Sequence, residues 1–136
     1  MYLLDTNVVS ELRRAKPHGA VVAWLRALPE TDIHICAVTI GEIHAGIEKT
    51  RETDPAKAAD IESWLDKIET NYPVLPIDAR AFRTHARLMH RKSDALFEDA
   101  MIAAVAQTNG LIVATRNVRD FVGFGVRVVD PFDAAK

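Results

Sequence analysis

The stretch 97–114, FEDAMIAAVAQTNGLIVA, joins a helix directly to a strand and decides the class of the fold. Its alanine-rich part, Phe97–Thr108, predicts a helix that stops near Gly110. The apolar run Leu111–Ala114 follows at once and predicts a buried strand. A helix that leads straight into a buried strand is the repeating unit of an α/β protein.

The same alternation extends along the chain in both directions. Further strands are predicted at Met1–Leu4, Ile33–Val38, Val74–Ile77 and Val126–Val129. Helices are predicted at Thr6–Leu12, Ala20–Leu28, Thr39–Lys49, Pro55–Thr70 and Asp78–Arg91. The pattern predicts an α/β sandwich with a mostly parallel central sheet, formed by residues 1–136 as a single domain.

Composition limits the classes of function. The 136 residues are 49% hydrophobic and 26% charged, as in an ordinary globular protein. The net charge of −2 argues against a generally basic, nucleic-acid-coating surface. The single cysteine, Cys36, fits a reducing compartment, and no apolar run is long enough for a membrane span. We therefore expect a cytoplasmic protein with no membrane partner.

Four acidic residues lie close to predicted strand ends. Asp5 ends the first strand, Glu42 opens the helix after the second, and Asp99 begins the helix before Leu111–Ala114. Asp120 lies in the predicted loop Thr115–Phe121. Ligands of parallel sheets bind at the carboxyl ends of the strands. Carboxylate oxygens gathered there predict a site for Mg²⁺ or Mn²⁺.

Each of these acids also has a purely structural interpretation. Asp5 can be the N-cap of the next helix, and Glu42 can complete a capping box that begins at Thr39. Asp99 can serve the helix dipole, and Asp120 can cap a turn. Independent caps have no reason to meet at one edge of a sheet, however. Their convergence is what distinguishes the metal-site interpretation from the capping one.

Four segments around these acids resemble the motifs of PIN-domain ribonucleases, in particular VapC-type toxins of type II toxin–antitoxin modules. The segments are 3–11 (LLDTNVVSE), 37–43 (AVTIGEI), 98–104 (EDAMIAA) and 115–121 (TRNVRDF). The resemblance extends from the first residues to Pro131. It implies the PIN-type α/β/α sandwich and an endoribonuclease that hydrolyses phosphodiester bonds in single-stranded RNA.

The resemblance also implies roles for the acids. Asp5 and Asp99 would be direct ligands of Mg²⁺ or Mn²⁺, and Glu42 would bind a second ion or orient the attacking water. Asp120 would act through solvent. Either Asn117 or Asp120 fills the fourth acidic position, and the number of ions stays open.

Other side chains are predicted to position the first carboxylate and the substrate. They are Thr6, Asn7, Thr115, Arg116 and Asn117. Four further arginines share one face of the helix Asp78–Arg91, where they either follow an RNA backbone or form a solvated surface: Arg80, Arg83, Arg87 and Arg91. The opposite face of that helix is predicted to pack inward through Phe82, Ala86 and Met89.

The implied partners are RNA, a cognate antitoxin that occludes the acidic pocket, and a second copy of the chain. A heterotetramer or larger assembly with the antitoxin is left open. One alternative is a receiver-like signalling domain that binds Mg²⁺. Asp5 stands alone and no lysine lies between Lys92 and Lys136, which disfavours it. Another is a PIN-like domain that binds RNA without cutting it.

Overall fold

A computed structural model describes residues 1–133. The strands are β1 (Tyr2–Leu4), β2 (Ile33–Cys36), β3 (Val74–Leu75), β4 (Ile112–Ala114) and β5 (Val128–Val129). The α-helices are α1 (Thr6–Glu11), α2 (Gly19–Arg26), α3 (Ala37–Arg51), α4 (Pro55–Asn71), α5 (Ala79–Met89), α6 (Phe97–Asn109) and α7 (Val118–Val122). Short 3₁₀ turns occupy Glu30–Asp32, Asp94–Leu96 and Pro131–Asp133. None of the helices in residues 1–133 is long and apolar enough to cross a bilayer.

The five strands form one parallel sheet in the order β3-β2-β1-β4-β5. β1 lies at its centre, where Leu3 is in register with His34 on one side and Val113 on the other. The predicted parallel α/β/α sandwich is confirmed. The order brings the carboxyl ends of β1, β2 and β4 side by side, so the residues that follow these strands meet at one edge.

Helices cover both faces of the sheet because successive strand residues point to opposite sides. Leu3 packs into the core formed with α6, whereas Leu4 packs into the core formed with α1 and α2. Both side chains are completely buried. The α6 side combines the alanines of α6 with larger side chains such as Phe121 and Phe124. Helix α6 ends at Gly110, whose φ of 66° is the left-handed conformation that glycine adopts without strain.

Several predicted boundaries differ from the structure, and two regions matter for the site. The second strand stops at Cys36 instead of Val38, and α3 begins at Ala37. The parallel pairing of β2 with β3 ends at Cys36, so Val38 has no strand to pair with and joins the helix. The predicted loop around Asp120 contains the short helix α7, which places this carboxylate in a helical turn.

The predicted inward face of α5 is wrong at Phe82 and Ala86, which are exposed, whereas Met89 packs against the core as predicted. Phe82 is 52% exposed, and α5 packs on α6 through Ala81, Thr84 and His85 instead. The His85 ring contacts the Phe97 ring at 4.5 Å between centroids, and its Nε2 lies 3.1 Å from the Phe97 carbonyl oxygen. This hydrogen bond satisfies the buried imidazole and leaves Phe82 on the outside.

Candidate active site

Asp5 directly follows β1 and caps α1. Its Oδ1 accepts a hydrogen bond from the Thr6 backbone N–H at 2.7 Å, as the capping interpretation predicts. Its Oδ2 accepts from the Thr115 hydroxyl at 2.7 Å and from Asn7 Nδ2 at 3.1 Å. The residue is only 4% exposed, and this loss of hydration raises the pKa of its carboxyl despite the three donors. Asp5 is therefore the N-cap of α1 and also a buried acid whose carboxylate is held by three hydrogen-bond donors.

The loop after β4 is fastened to the first turn of α1. Thr115 is completely buried, and its Oγ1 also accepts from the Asn117 backbone N–H at 2.9 Å. Asn7 Oδ1 accepts from the Arg116 backbone N–H at 3.3 Å. The Arg116 guanidinium lies over the Phe132 ring at 3.7 Å. Thr6, Asn7 and Thr115 therefore hydrogen-bond to Asp5, whereas the Arg116 side chain contacts Phe132 and not the carboxylate.

Glu42 lies in the second turn of α3 and is half-buried. Because α3 begins at Ala37, Thr39 is inside the helix, and the predicted capping box is wrong. Instead, the Thr6 hydroxyl donates to Glu42 Oε1 at 3.1 Å and lies 3.1 Å from the Thr39 hydroxyl. Burial, followed by the charges of Asp5 and other nearby acids, raises the pKa of the Glu42 carboxyl.

Thr39 was not predicted as a site residue. A hydroxyl carries one hydrogen, so when Thr6 donates to Glu42, Thr39 is the group that donates to Thr6. The Glu42 carboxylate can only accept, which fixes the direction of this chain of hydrogen bonds, and Thr39 at its start is completely buried. The signal was the polar residue one turn before Glu42, but its position inside the helix depends on where β2 ends.

Asp99 lies in the first turn of α6, and Asn117 holds it in place. Asn117 Nδ2 donates to Asp99 Oδ2 at 2.9 Å and to Asp120 Oδ2 at 2.8 Å. One amide group therefore bridges two carboxylates and keeps them apart. Burial, with the charge of Asp5 next in size, raises the pKa of Asp99 to about 6.

The donor set suits a hard divalent cation. Asp5 uses three of its roughly four acceptor positions, which leaves one on Oδ1. Asp99 Oδ1 accepts no hydrogen bond from residues 1–133. Within those residues, no group of three or more histidine, cysteine, aspartate or glutamate side chains is arranged to hold a metal ion. Mg²⁺ needs no such group, because it keeps several waters and binds through one or two carboxylates.

The raised pKa of Asp99 predicts a pH dependence of stability in metal-free protein. Between about pH 4 and pH 6, folded protein binds more protons at Asp99 than unfolded protein does. The free energy of unfolding should therefore fall as the pH rises through this window. Above pH 6 the full cost of holding Asp99 in its charged form is reached. Urea unfolding in EDTA from pH 4 to pH 7 measures it. Asp99→Asn is the control, and an unchanged pH slope in that variant would contradict the assignment.

Comparisons with known proteins find related chains of similar length and the same fold. The family model of the PIN domain matches residues 2–123. The VapC ribonuclease Y4jK of Sinorhizobium fredii is 32% identical over 146 residues, which cover 99% of this chain and all of that protein. Toxin FitB of Neisseria gonorrhoeae is 34% identical over 140 residues, or 97% of this chain and 99% of that protein.

A solved structure extends the likeness to three dimensions. The crystal structure of FitAcB from Neisseria gonorrhoeae superposes with a TM-score of 0.86 at 33% identity. The match covers 98% of this chain and 99% of that chain. The likeness therefore includes all the elements that carry the acidic residues.

Proposed function

The chain belongs to the PIN-domain family, and on that premise we propose that it is a Mg²⁺- or Mn²⁺-dependent endoribonuclease that cuts single-stranded RNA. The observation that carries the proposal is the pair Asp5 and Asp99. Both carboxyls have raised pKa values, both lie at the carboxyl edge of the sheet, and each keeps at least one oxygen lone pair free to bind a cation. The names of similar proteins, a VapC ribonuclease and a toxin, support the same activity.

Asp5 and Asp99 would hold the ion. When bound, a divalent cation offsets the charge that develops on the phosphate and makes water a better nucleophile. Asn117 keeps Asp99 and Asp120 at fixed positions, and Asp120 acts through solvent. Asn7 and Thr115 hold Asp5 in one orientation, so that its free lone pair points consistently at the site.

Glu42 is the group we assign to the attacking water. Its raised pKa suits a base that must take up a proton, and the hydrogen bond from Thr6 fixes its orientation. The water oxygen forms a bond to phosphorus as its proton passes to Glu42. The bond from phosphorus to the leaving ribose oxygen breaks, and that oxygen takes a proton from solvent water.

The test is an assay of the purified protein on an unstructured RNA. We expect cleavage with Mg²⁺ or Mn²⁺ and none with EDTA, with products that appear within the strand rather than from its ends. Binding of RNA without cleavage at any metal concentration would support a non-cleaving PIN-like domain instead.

We also propose that the chain is the toxin of a toxin–antitoxin module and acts in the cytoplasm. An uncontrolled ribonuclease damages its own cell, so an antitoxin must block the acidic pocket. A carboxylate-lined cleft suits an arginine or lysine inserted by that partner. We expect growth arrest when the chain is expressed alone and rescue when the neighbouring reading frame is co-expressed. Normal growth with intact, metal-loaded protein would contradict this role.

A second copy of the chain is proposed to cover the exposed face of α5. Phe82 and Phe97 are 52% and 48% exposed; Phe97 contacts His85, and Phe82 lies one turn before His85 on α5. Large exposed apolar patches mark interaction surfaces, so these two side chains are the candidates for an interface. Phe82→Glu should convert a dimer to a monomer in light scattering at micromolar concentration. Val122→Glu, at a residue 58% exposed in α7, is the control and should leave the mass unchanged.

A further inference from the structure

A cavity of about 280 Å³ opens beside Glu42, where α1, α3 and α4 meet. Thr6 and Glu42, which are hydrogen-bonded to each other, line one part of it. Apolar side chains line another part and include Ile43, Ile61 and Trp64. The cavity is therefore continuous with the candidate active site, although no step of the reaction proposed above uses it.

Polar groups complete the lining. Ser10 contributes a hydroxyl, and Arg13 contributes an exposed guanidinium. Within residues 1–133, Arg13 has no carboxylate within ion-pair distance. Apolar walls with a few polar groups and an unpaired cation suit a ligand that is flat and apolar on its faces, polar at its edge and joined to a negative charge.

We propose that this cavity is a subsite for one nucleobase of the bound RNA, adjacent to the bond that is cut. This proposal rests on the proposed ribonuclease function. Proteins recognise single-stranded RNA by taking bases out of the strand and stacking them on aromatic or arginine side chains. The base packs against Trp64, its edge meets the hydroxyls of Thr6 and Ser10, and Arg13 binds an adjoining phosphate. The subsite selects the base at the cut and holds the strand beside Glu42.

Gly46 allows the cavity to be filled without disturbing the fold. It lies in α3 one turn after Glu42 and lines the cavity, and a Cβ added there meets no atom within 4 Å. Gly46→Leu adds a bulky side chain at this position and also replaces glycine with a better helix former. Ala45→Leu is the matched control, because Ala45 is exposed on the same helix and does not line the cavity.

We expect Gly46→Leu to raise KM for single-stranded RNA about tenfold, the effect of losing one stacked base. Its preference for the base next to the cut should weaken as well. Ala45→Leu should stay within about twofold of wild type on both measures, as for most surface changes. Arg13→Gln should raise KM without altering base preference. If Gly46→Leu keeps the wild-type KM and cut-site preference, the proposal is wrong.

A binding measurement separates this proposal from the proposed function. With Trp24 replaced by phenylalanine, Trp64 is the chain's remaining tryptophan, and its fluorescence should be quenched saturably by a short RNA in EDTA. Trp64→Phe, which keeps an aromatic ring, should retain most RNA affinity, whereas Trp64→Leu should lose it. Saturable quenching with no cleavage in metal would reject the ribonuclease and keep the subsite. Cleavage without quenching would keep the ribonuclease and reject the subsite.

A third outcome would assign the cavity to a protein partner. If Gly46→Leu abolishes only the protection conferred by the antitoxin and leaves RNA affinity unchanged, the cavity binds a protein segment. That result would overturn the nucleobase assignment.

Discussion

An Asp99→Asn variant is expected to cut RNA at least about a thousandfold more slowly than wild-type protein, yet to be more stable without metal. Asparagine can accept the hydrogen bond from Asn117 through its own oxygen, so the local geometry survives. The variant lacks a charge that burial and Asp5 disfavour, as the pKa of about 6 indicates. At pH 7 we expect a gain of about 2 kcal/mol in the free energy of unfolding, after allowing for partial exposure.

Metal addition should reverse the order of stability. Wild-type protein should gain roughly 2.7 kcal/mol when free Mg²⁺ is a hundredfold above its dissociation constant, and the variant should gain little. Thermal melts with and without Mg²⁺, with one cleavage assay, measure both effects. A variant that cuts RNA at the wild-type rate would end the assignment of Asp99 as a ligand.

Asp5→Asn is expected to abolish cleavage to a similar extent but to destabilise the fold. Three donors converge on this carboxylate, from Thr6, Asn7 and Thr115. An amide offers only one oxygen, so in either orientation its NH₂ group faces a donor. Leaving buried groups unsatisfied costs about 1 to 3 kcal/mol. We expect this cost to exceed the gain from removing the buried charge of Asp5, so that the free energy of unfolding without metal falls.

The capping interpretation makes a different prediction for Asp5→Asn. Asparagine is as good an N-cap as aspartate, so a residue that only caps α1 would tolerate the change in both stability and activity. Opposite shifts in melting temperature for Asp5→Asn and Asp99→Asn, with loss of cleavage in both, would show that the two acids share a reaction but not an environment.

The prediction of the sheet and the prediction that the acidic residues lie near its strand ends have the same physical basis. Buried parallel strands are short continuous apolar runs, and their ends are marked by the first charged residue, as at Asp5. Because such ends meet at one edge, four separate positions could be placed together before any contact was known. The resemblance to the PIN-domain family then ordered the acids by role.

The features that were missed depend on contacts between distant elements. Thr39 and Thr6 are 33 residues apart, and their contact follows from where β2 ends. The hydrogen bonds from Asn117 to Asp99 and Asp120 depend on the position of α7, and the residues of α7 were predicted to form a loop. On α5, His85 is buried and forms a hydrogen bond with the Phe97 carbonyl oxygen, whereas Phe82 is exposed. Periodicity cannot distinguish two apolar faces when the packing partner is unknown.

The central place of β1 in the sheet sets the time at which the site can form during translation. The ribosome makes β1 first, but the bond between Thr115 and Asp5 joins residues 110 positions apart. At about 10 residues per second, roughly ten seconds separate the synthesis of these two partners. A nascent or prematurely released chain that stops before Ile112 carries Asp5 with neither β4 nor Asn117 beside it. Interrupted synthesis therefore yields fragments without the nuclease site, and only a chain that extends past Asp120 is a hazard to the cell.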